Sequence, residues 1–312
     1  MCEISGCRVL ITGGAGFLGS SVARLLHQKG AVVTLLDNCR PGCARNIEDI
    51  REQVQLIRGD INDEAVVKRA VRGQDVVVHT AFPVTQCDRS LERQYVGVGT
   101  VGLYNVLKEA HAQKALLVYA SSISVYGRQL YTPIDEKHPL DPILIYGATK
   151  LAGEYYCRVM AREYGLKVVT LRYSDLYGPG LGRDNAPVIF LKRARAGLPL
   201  VVRGGGKQIR SYLFVSDASK AVYLAIKNRG SMGKVFNLGS DETITIIDLA
   251  QKAVEMTGSI SEIVFEEGWV DQRQYRIDSS LAKSVLGFKA LVDLETGLKK
   301  ILAWLEAEEE ET

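Results

Sequence analysis

The sequence predicts an α/β protein: a doubly wound parallel sheet with a smaller α/β lobe. Three observations carry that prediction. Short, wholly apolar runs alternate with amphipathic stretches of helical period over the first half of the chain. A glycine-rich turn, Gly13-Gly14-Ala15-Gly16-Phe17-Leu18-Gly19, separates the first run from the first helix. After about Tyr173 the rhythm breaks into shorter pieces divided by Gly178-Pro179-Gly180 and Gly204-Gly205-Gly206. Strand–helix alternation builds βαβ units, and strands covered by helices on both faces read as continuous apolar runs.

Taken in order, Arg8 to Thr12 is the first strand. Ser20 to Lys29 is a helix with Val22, Leu25 and Leu26 on one face. Strands follow at Ala31 to Leu36 and Val54 to Ile57. A helix at Asp63 to Val71 leads to a strand at Val76 to His79. Val96 to Ala112 is a helix, Ala115 to Ala120 a strand, Ile145 to Glu163 a long helix, and Lys167 to Leu171 a strand. In the second half, helices are predicted over Ser216 to Lys227, Thr245 to Met256 and Leu294 to Glu306, with a strand at Val235 to Leu238. Residues 1–175 and 211–239 are assigned to the sheet domain. Residues 176–210 and 240–312 are assigned to the lobe.

Composition narrows the class of function. The chain has 312 residues, 46% hydrophobic and 24% charged, which is ordinary for a water-soluble protein with a substantial core. Thirty-nine Lys and Arg against 36 Asp and Glu leave a formal charge of +3, too balanced to suggest nucleic acid as a partner. No apolar run approaches the roughly 18 residues of a membrane-spanning helix. The N-terminal residues lack the basic and cleavage features of a signal peptide, so a cytoplasmic setting is expected. Six cysteines without C-x-x-C spacing are then expected to be reduced and to bind no metal. Glu306 to Glu311 reads as a solvated acidic tail.

Gly13, Gly16 and Gly19 are spaced G-x-x-G-x-x-G between a strand and a helix. Gly13 permits a tight turn, Gly16 a close approach of backbone to a pyrophosphate, and Gly19 close packing of helix on strand. The pyrophosphate would sit on the helix N-terminus, where free N–H groups favour anions. Glycines alone also serve plain turns. Here Asp37 ends the following strand, where a carboxylate accepts from adenosine ribose hydroxyls. A 2′-phosphate would meet that charge, which favours NAD over NADP, although Arg40 lies close by. Asp60 has two readings, an acceptor for the adenine amino group or a cap for the next helix.

A second constellation begins at the end of a strand, Ala120-Ser121-Ser122-Ile123-Ser124-Val125-Tyr126-Gly127. Tyr146 and Lys150 follow in Tyr146-Gly147-Ala148-Thr149-Lys150, at i and i+4 on one helix face. A free tyrosine has a pKa near 10 and is a weak base at neutral pH. A neighbouring ammonium and the positive charge of a nicotinamide favour the phenolate. Ser122 would then bind the hydroxyl whose proton Tyr146 removes. Alone, such a pair is as readily a surface pair.

Joined to the cofactor fingerprint, these motifs make the sequence similar to the extended short-chain dehydrogenases/reductases, and among them to the NAD-dependent nucleotide-sugar epimerases and dehydratases. The resemblance also rests on His79-Thr80-Ala81, on RYSDLYGPG at 172–180, on GGGKQIRSYLFVSD at 204–217, on VFNLGS at 235–240, and on Asp278 to Lys283. It implies a Rossmann-type domain with NAD held by Gly13, Gly16, Phe17, Leu18, Gly19, Asp37, Asn38, Asp60, Ile61, Thr80, Ala81, Tyr146, Lys150 and Tyr173. It implies Tyr146 as base, Lys150 lowering its pKa and binding the nicotinamide ribose, and Ser122 positioning the sugar. The sugar would pass through a 4-keto intermediate. Dehydratases of this kind carry an Asp-Glu pair where this chain has Ile123-Ser124, and decarboxylases typically a Glu at the second place. A serine there suits a 4-epimerase.

For the substrate, the resemblance implies Ser122, Ser124, Asp175, Arg210, Arg273 and Tyr275. Arg210 matches an arginine on the nucleotide diphosphate; a surface arginine is the alternative. Tyr275 matches a position gating the sugar's 2-substituent; a core tyrosine is the alternative. Three positions depart from the family pattern: Asp175 and Val96 stand where asparagine is usual, and Gly268 where a second diphosphate arginine is usual. The expected activity is a UDP-hexose 4-epimerase. A 4-keto-sugar reductase is the alternative, and an NAD-binding protein without chemistry is the third reading. A homodimer is expected through the helices near 96–112 and 146–163, with Val98, Val101, Leu103, Tyr104, Leu151, Tyr155 and Val159 as candidates.

Overall fold

Seven parallel strands form the central sheet, and their order places a crevice at one edge. The computed structural model describes residues 3–39, 43–83, 89–181, 185–267 and 274–310. The first half runs β1 (Arg8–Thr12), α1 (Phe17–Gln28), β2 (Val32–Asp37), β3 (Gln55–Arg58), α2 (Glu64–Val71), β4 (Val76–His79), α3 (Glu92–Val96), α4 (Leu103–Ala112), β5 (Leu116–Ser122), α5 (Ile145–Tyr164) and β6 (Val168–Tyr173). The second half adds β7 (Asp175–Tyr177), α6 (Ala186–Arg195), β8 (Leu200–Arg203), β9 (Ile209–Arg210), β10 (Tyr212–Phe214), α7 (Val215–Lys227), β11 (Val235–Leu238), β12 (Ile244–Thr245), α8 (Ile246–Thr257), β13 (Ile263–Glu266), α9 (Ser280–Leu286) and α10 (Leu294–Glu310). The sheet order is β11-β6-β5-β4-β1-β2-β3. Strand order reverses between β1 and β4, and ligands of open α/β sheets bind in the crevice at such a point, beyond the strands' carboxyl ends.

The sheet is buried on both faces, as its apolar strands require. Val9 and Ile11 of β1 join one core with Val22 and Leu26 of α1 and Ala221 and Val222 of α7. Leu10, between them, joins a second core with Val67 of α2, Val106 and Leu107 of α4, and Cys157 and Met160 of α5. That two-residue alternation is the pleat of a strand between two helical layers. A third core joins Tyr177, Val188 and Leu191 with Tyr212, Phe214, Leu249, Leu298 and Ile301. Three two-stranded pieces accompany it: β7 with β10, β8 with β13, and β9 with β12.

Most of the predicted elements lie within one or two residues of the observed ones. Helix α1 starts at Phe17, three residues earlier than periodicity suggests, because the first turn belongs to the glycine loop. The helix predicted over 96–112 begins at Glu92 and contains a π-helical turn, Gly97–Gly102. The π turn brings Gly99 against Thr149 of α5, where an added Cβ would lie 2.2 Å from the threonine methyl. The acidic run is not a loose tail: through Glu310 it continues α10. Helices α6 and α9 and the short strands of the lobe had no prediction. No described helix is long and apolar enough to cross a membrane.

Glycine also sets how closely α5 approaches the sheet. A Cβ at Gly153 would lie 2.3 Å from the Tyr119 hydroxyl and 2.8 Å from a Leu103 methyl. Glycine to alanine inside a helix normally stabilises by about 0.5–1 kcal/mol. Gly153→Ala should instead destabilise by about 1–3 kcal/mol through overpacking, seen as a lower urea midpoint. A midpoint at or above wild type would contradict this packing.

Candidate active site

The loop after β1 is a cradle that side chains would fill. Gly13 has φ +68°, and a Cβ there would lie 2.6 Å from the Cα of Ala81, across the crevice after β4. At Gly19 a Cβ would lie 2.1 Å from the Gly13 carbonyl oxygen. Gly16 is the N-cap of α1, with no side-chain cap and no acidic residue in the first turn. The helix N-terminus is therefore left to an anion. Asp37 is buried at the end of β2; it accepts from the Ala15 N–H at 3.0 Å and the Cys39 N–H at 2.8 Å. The carboxylate thus braces the glycine loop from the next strand. Asn38 beside it is exposed. The Thr80 hydroxyl donates to the Thr12 carbonyl at 2.7 Å, fixing the opposite wall. Leu18 packs on the first core and Phe17 on the third, so this turn ties sheet to lobe.

Asp60 does not cap the following helix. Asp63 does, accepting from the N–H groups of Ala65 and Val66. Asp60 instead closes a turn by accepting from the Asn62 N–H at 2.8 Å. The Ile61 side chain is in the core, against Gly102. The Asn105 amide, which sequence reasoning missed, donates to the Ile61 carbonyl at 3.0 Å and holds this loop.

Ser122 and Tyr173 are register partners at the carboxyl ends of β5 and β6, and Tyr146 stands on the first turn of α5. A Cβ on Gly147 would lie 2.4 Å from the Ser124 carbonyl, so the residue after Tyr146 must be small for α5 to reach the serine turn. The Ser122 hydroxyl acts on the Tyr146 phenol. The Ser122 hydroxyl also lies 3.2 Å from that of Ser124. The Tyr146 ring meets Phe82 and Tyr95 edge-on, with centroids 5.3 and 6.1 Å away. Burial pushes its phenol up to about 12, the Ser122 hydroxyl acts against that, and the Asp175 carboxylate adds to it.

Lys150 is buried, and its ammonium is turned to the sheet rather than to the phenol. It donates to the Ala120 carbonyl at 2.8 Å and lies 4.1 Å from the Phe82 ring centroid. The Tyr146 ring centroid is 6.0 Å away. Burial lowers its pKa to about 7, against which Glu154 pulls upward. The i, i+4 spacing brings the two residues to one face. Ser122, and not Lys150, is the group that lowers the Tyr146 pKa against burial.

On the substrate side the structure gathers three of the expected residues. Arg210 Nε lies 3.5 Å from an Asp175 carboxylate oxygen, and its guanidinium lies 5.2 Å from the Tyr275 ring centroid. Asp175 and Tyr212 are register partners of β7 and β10, which sets the carboxylate beside Arg210. Tyr275 is buried in a core with Ile123, Tyr126 and Ile277, which supports the core reading over a gate open to the sugar. Arg210 is largely buried, which disfavours the surface reading. Val96 is exposed on α3, outside this cluster. Arg273, Gly268 and Arg40 lie outside the described residues.

Residues 9–239 match the model of the NAD dependent epimerase/dehydratase family. The chain belongs to that family. It is 29% identical over 310 residues to a putative UDP-glucose 4-epimerase of Methanocaldococcus jannaschii, covering 95% of this chain and 98% of the relative. It is 32% identical over 320 residues to the UDP-N-acetyl-alpha-D-glucosaminuronate decarboxylase of Bacillus cytotoxicus, with 95% and 97% covered. Among solved structures it is similar to the UDP-glucose 4-epimerase of Thermotoga maritima with UDP-glucose, with TM-score 0.90 and 29% identity over 96% of this chain and 99% of that one.

NAD is the cofactor of this family, and the residues present fit it. The cradle has no side chain where a pyrophosphate needs the backbone, and the helix end behind it is uncapped. The buried Tyr173 hydroxyl has no hydrogen-bond partner among the described residues, so a polar group remains for a ligand to satisfy.

Behind Lys150, His79 is fully buried, 2.8 Å from the Thr12 hydroxyl and stacked on Tyr119. Burial first, then the Lys150 charge, lowers its pKa to about 3. The unfolded chain, with histidine near 6.5, binds more protons between these values. Stability should therefore fall as pH drops from about 6.5 toward 3. His79→Gln should weaken that fall, measured as urea midpoints at several pH values. An identical pH slope in the variant would contradict it.

Proposed function

We propose that this chain is a nucleotide-sugar 4-epimerase that interconverts a UDP-hexose and its C4 epimer. The observation that carries the proposal is the turn after β5. It presents the hydroxyls of Ser122 and Ser124 beside Tyr146 and supplies no carboxylate, since Ile123 is buried in the core. Elimination of water from a sugar needs acid and base groups there. Reversible removal of a proton from the C4 hydroxyl does not.

In this reading Tyr146 accepts the C4 hydroxyl proton while Ser122 holds the oxygen. NAD, held by the Gly13–Gly19 loop and Asp37, would supply the acceptor and donor for the C4 hydride. Lys150, swung toward the ribose, places positive charge by the phenol and lowers its pKa. Arg210 holds the diphosphate as a forked guanidinium fits phosphate, leaving the keto sugar free to present its other face. Tyr146 then returns the proton. Asp37, engaged with the Ala15 N–H, supports NAD over NADP because a 2′-phosphate would meet its charge. The division into an NAD-binding domain and a sugar-binding lobe belongs to the same proposal.

A homodimer is also proposed. Val101, Tyr104, Tyr155 and Val159 are about half exposed on the helices expected to pair. Leu103, expected among them, is fully buried in this chain's own core, while Leu151 packs against Ile123 and its neighbours. Tyr155→Glu should convert a species of twice 34.3 kDa to one of 34.3 kDa by light scattering; a wild-type monomer would sink the idea.

Proton NMR of UDP-glucose, UDP-galactose, their N-acetyl forms and the uronates, incubated with protein and NAD, tests the reaction. A C4 epimer with no net NADH is expected. Net cofactor consumption would point to the oxidoreductase instead. Tyr146→Phe should retain NAD and lose about 10²–10⁴-fold in kcat; near-normal turnover would remove Tyr146 as the base.

A further inference from the structure

Glu154 is a buried carboxylate to which the chemistry above gives no role. It is 3% exposed, and its partner Arg172 is 2% exposed. It continues the stripe of Tyr146 and Lys150 by one more turn of α5. Its oxygens accept from the Ser121 hydroxyl at 2.6 Å and from Arg172 at 2.8 and 2.6 Å. Ser121 and Arg172 are register partners, one residue before the partners Ser122 and Tyr173. One carboxylate thus pins α5 to β5 and β6 immediately below the reacting groups. The network goes on: Arg172 donates to the Tyr126 hydroxyl at 2.7 Å, and Tyr126 to the Asn237 side-chain carbonyl at 2.6 Å. Asn237 on β11 is the register partner of Arg172.

We propose that Glu154 is a positioning residue of the active site: its carboxylate, held by Ser121 and Arg172, sets α5, and with it Tyr146 and Lys150, in register against Ser122. The proposal rests on the reading that Tyr146, Lys150 and Ser122 act on the substrate. Stability alone is a weak account of such a pair, because well-packed apolar residues often replace a buried ion pair without loss. Among the described residues, the groups facing Lys150 are His79 of β4, Tyr119 of β5, Tyr146 of α5 and the Phe82 ring, none of them a carboxylate. Of the described residues, Glu154 is the group whose charge opposes the burial of that amine. Facing Glu154 itself are Ser121, Arg172, Tyr119 and Cys157.

The test uses the full chain loaded with NAD. Glu154→Gln alone strands the Arg172 charge, so the paired variant Glu154→Gln with Arg172→Gln is made, and its folding is checked by urea midpoint. Lysine labelled with 13C at Cε reports Lys150, assigned through Lys150→Met. The Lys150 midpoint is expected to shift by about half a pH unit or more, in either direction, as α5 leaves its register. With the nucleotide sugar that wild type converts, kcat is expected to drop at least about tenfold while KM changes little. A folded variant with the wild-type Lys150 midpoint, or with wild-type kcat, overturns the proposal. Should the pair not fold, Glu154→Asp keeps the charge and retracts it by one methylene. There a drop of at least about tenfold in kcat with little change in KM supports the proposal, and a wild-type kcat overturns it. If wild type converts no nucleotide sugar, the epimerase reading fails, and the Lys150 titration still decides the role of Glu154.

Discussion

The site depends on the reversal of strand order between β1 and β4. Parallel strands on either side of that point carry their connections to opposite faces, which opens a crevice at the carboxyl edge. The glycine loop leaves β1 and meets Ala81 after β4 at a distance no Cβ would tolerate. Ser122 and Tyr173 end the next two strands, and Asp175 follows them. The topology thus supplies both a slot for a dinucleotide and a row of side chains along it.

Helix α5 then carries a conflict. Under the proposed reaction Lys150 has to be charged to act on Tyr146, yet its packing removes it from water. Burial of an ammonium disfavours its charged form. The protein offsets this with the Ala120 carbonyl, the face of Phe82 and, one turn on, the Glu154 carboxylate. Glu154 would itself be costly to bury without Arg172, and Arg172 without Tyr126 and Glu154. A buried charge beside Tyr146 therefore requires a chain of partners that extends to the far edge of the sheet at Asn237.

How much of this was legible in the sequence follows from which forces are local. The central strands and their helices are written in apolar periodicity, and the cofactor turn in glycine spacing, because both depend on neighbours within a few residues. The Tyr146–Lys150 stripe is visible for the same reason. The direction of the Lys150 side chain is not, since it depends on a carbonyl thirty residues away. Glu154 and Arg172 were missed although Glu154 is four residues past Lys150; a carboxylate on a helix reads as solvent-facing until β6 is laid against it. The short strands of the lobe have too few residues to show a period. Tyr275 stayed open between gate and core because burial, which decides between them, is a tertiary property.

Asp175 illustrates why the substrate side is the least readable. In sequence it is a carboxylate where an amide is usual, which suggests repulsion of an anionic ligand. In the fold it is the counter-charge of Arg210, a largely buried guanidinium at 3.5 Å. A buried cation of this kind needs a partner before any substrate arrives. Under the proposed reaction the diphosphate takes up that charge, so the binding free energy is the difference between two ion pairs rather than the gain of one. The same carboxylate raises the pKa of Tyr146. A ligand that draws Arg210 onto its phosphates therefore alters the charge felt by the phenol, and diphosphate binding and proton removal share an electrostatic balance through one residue.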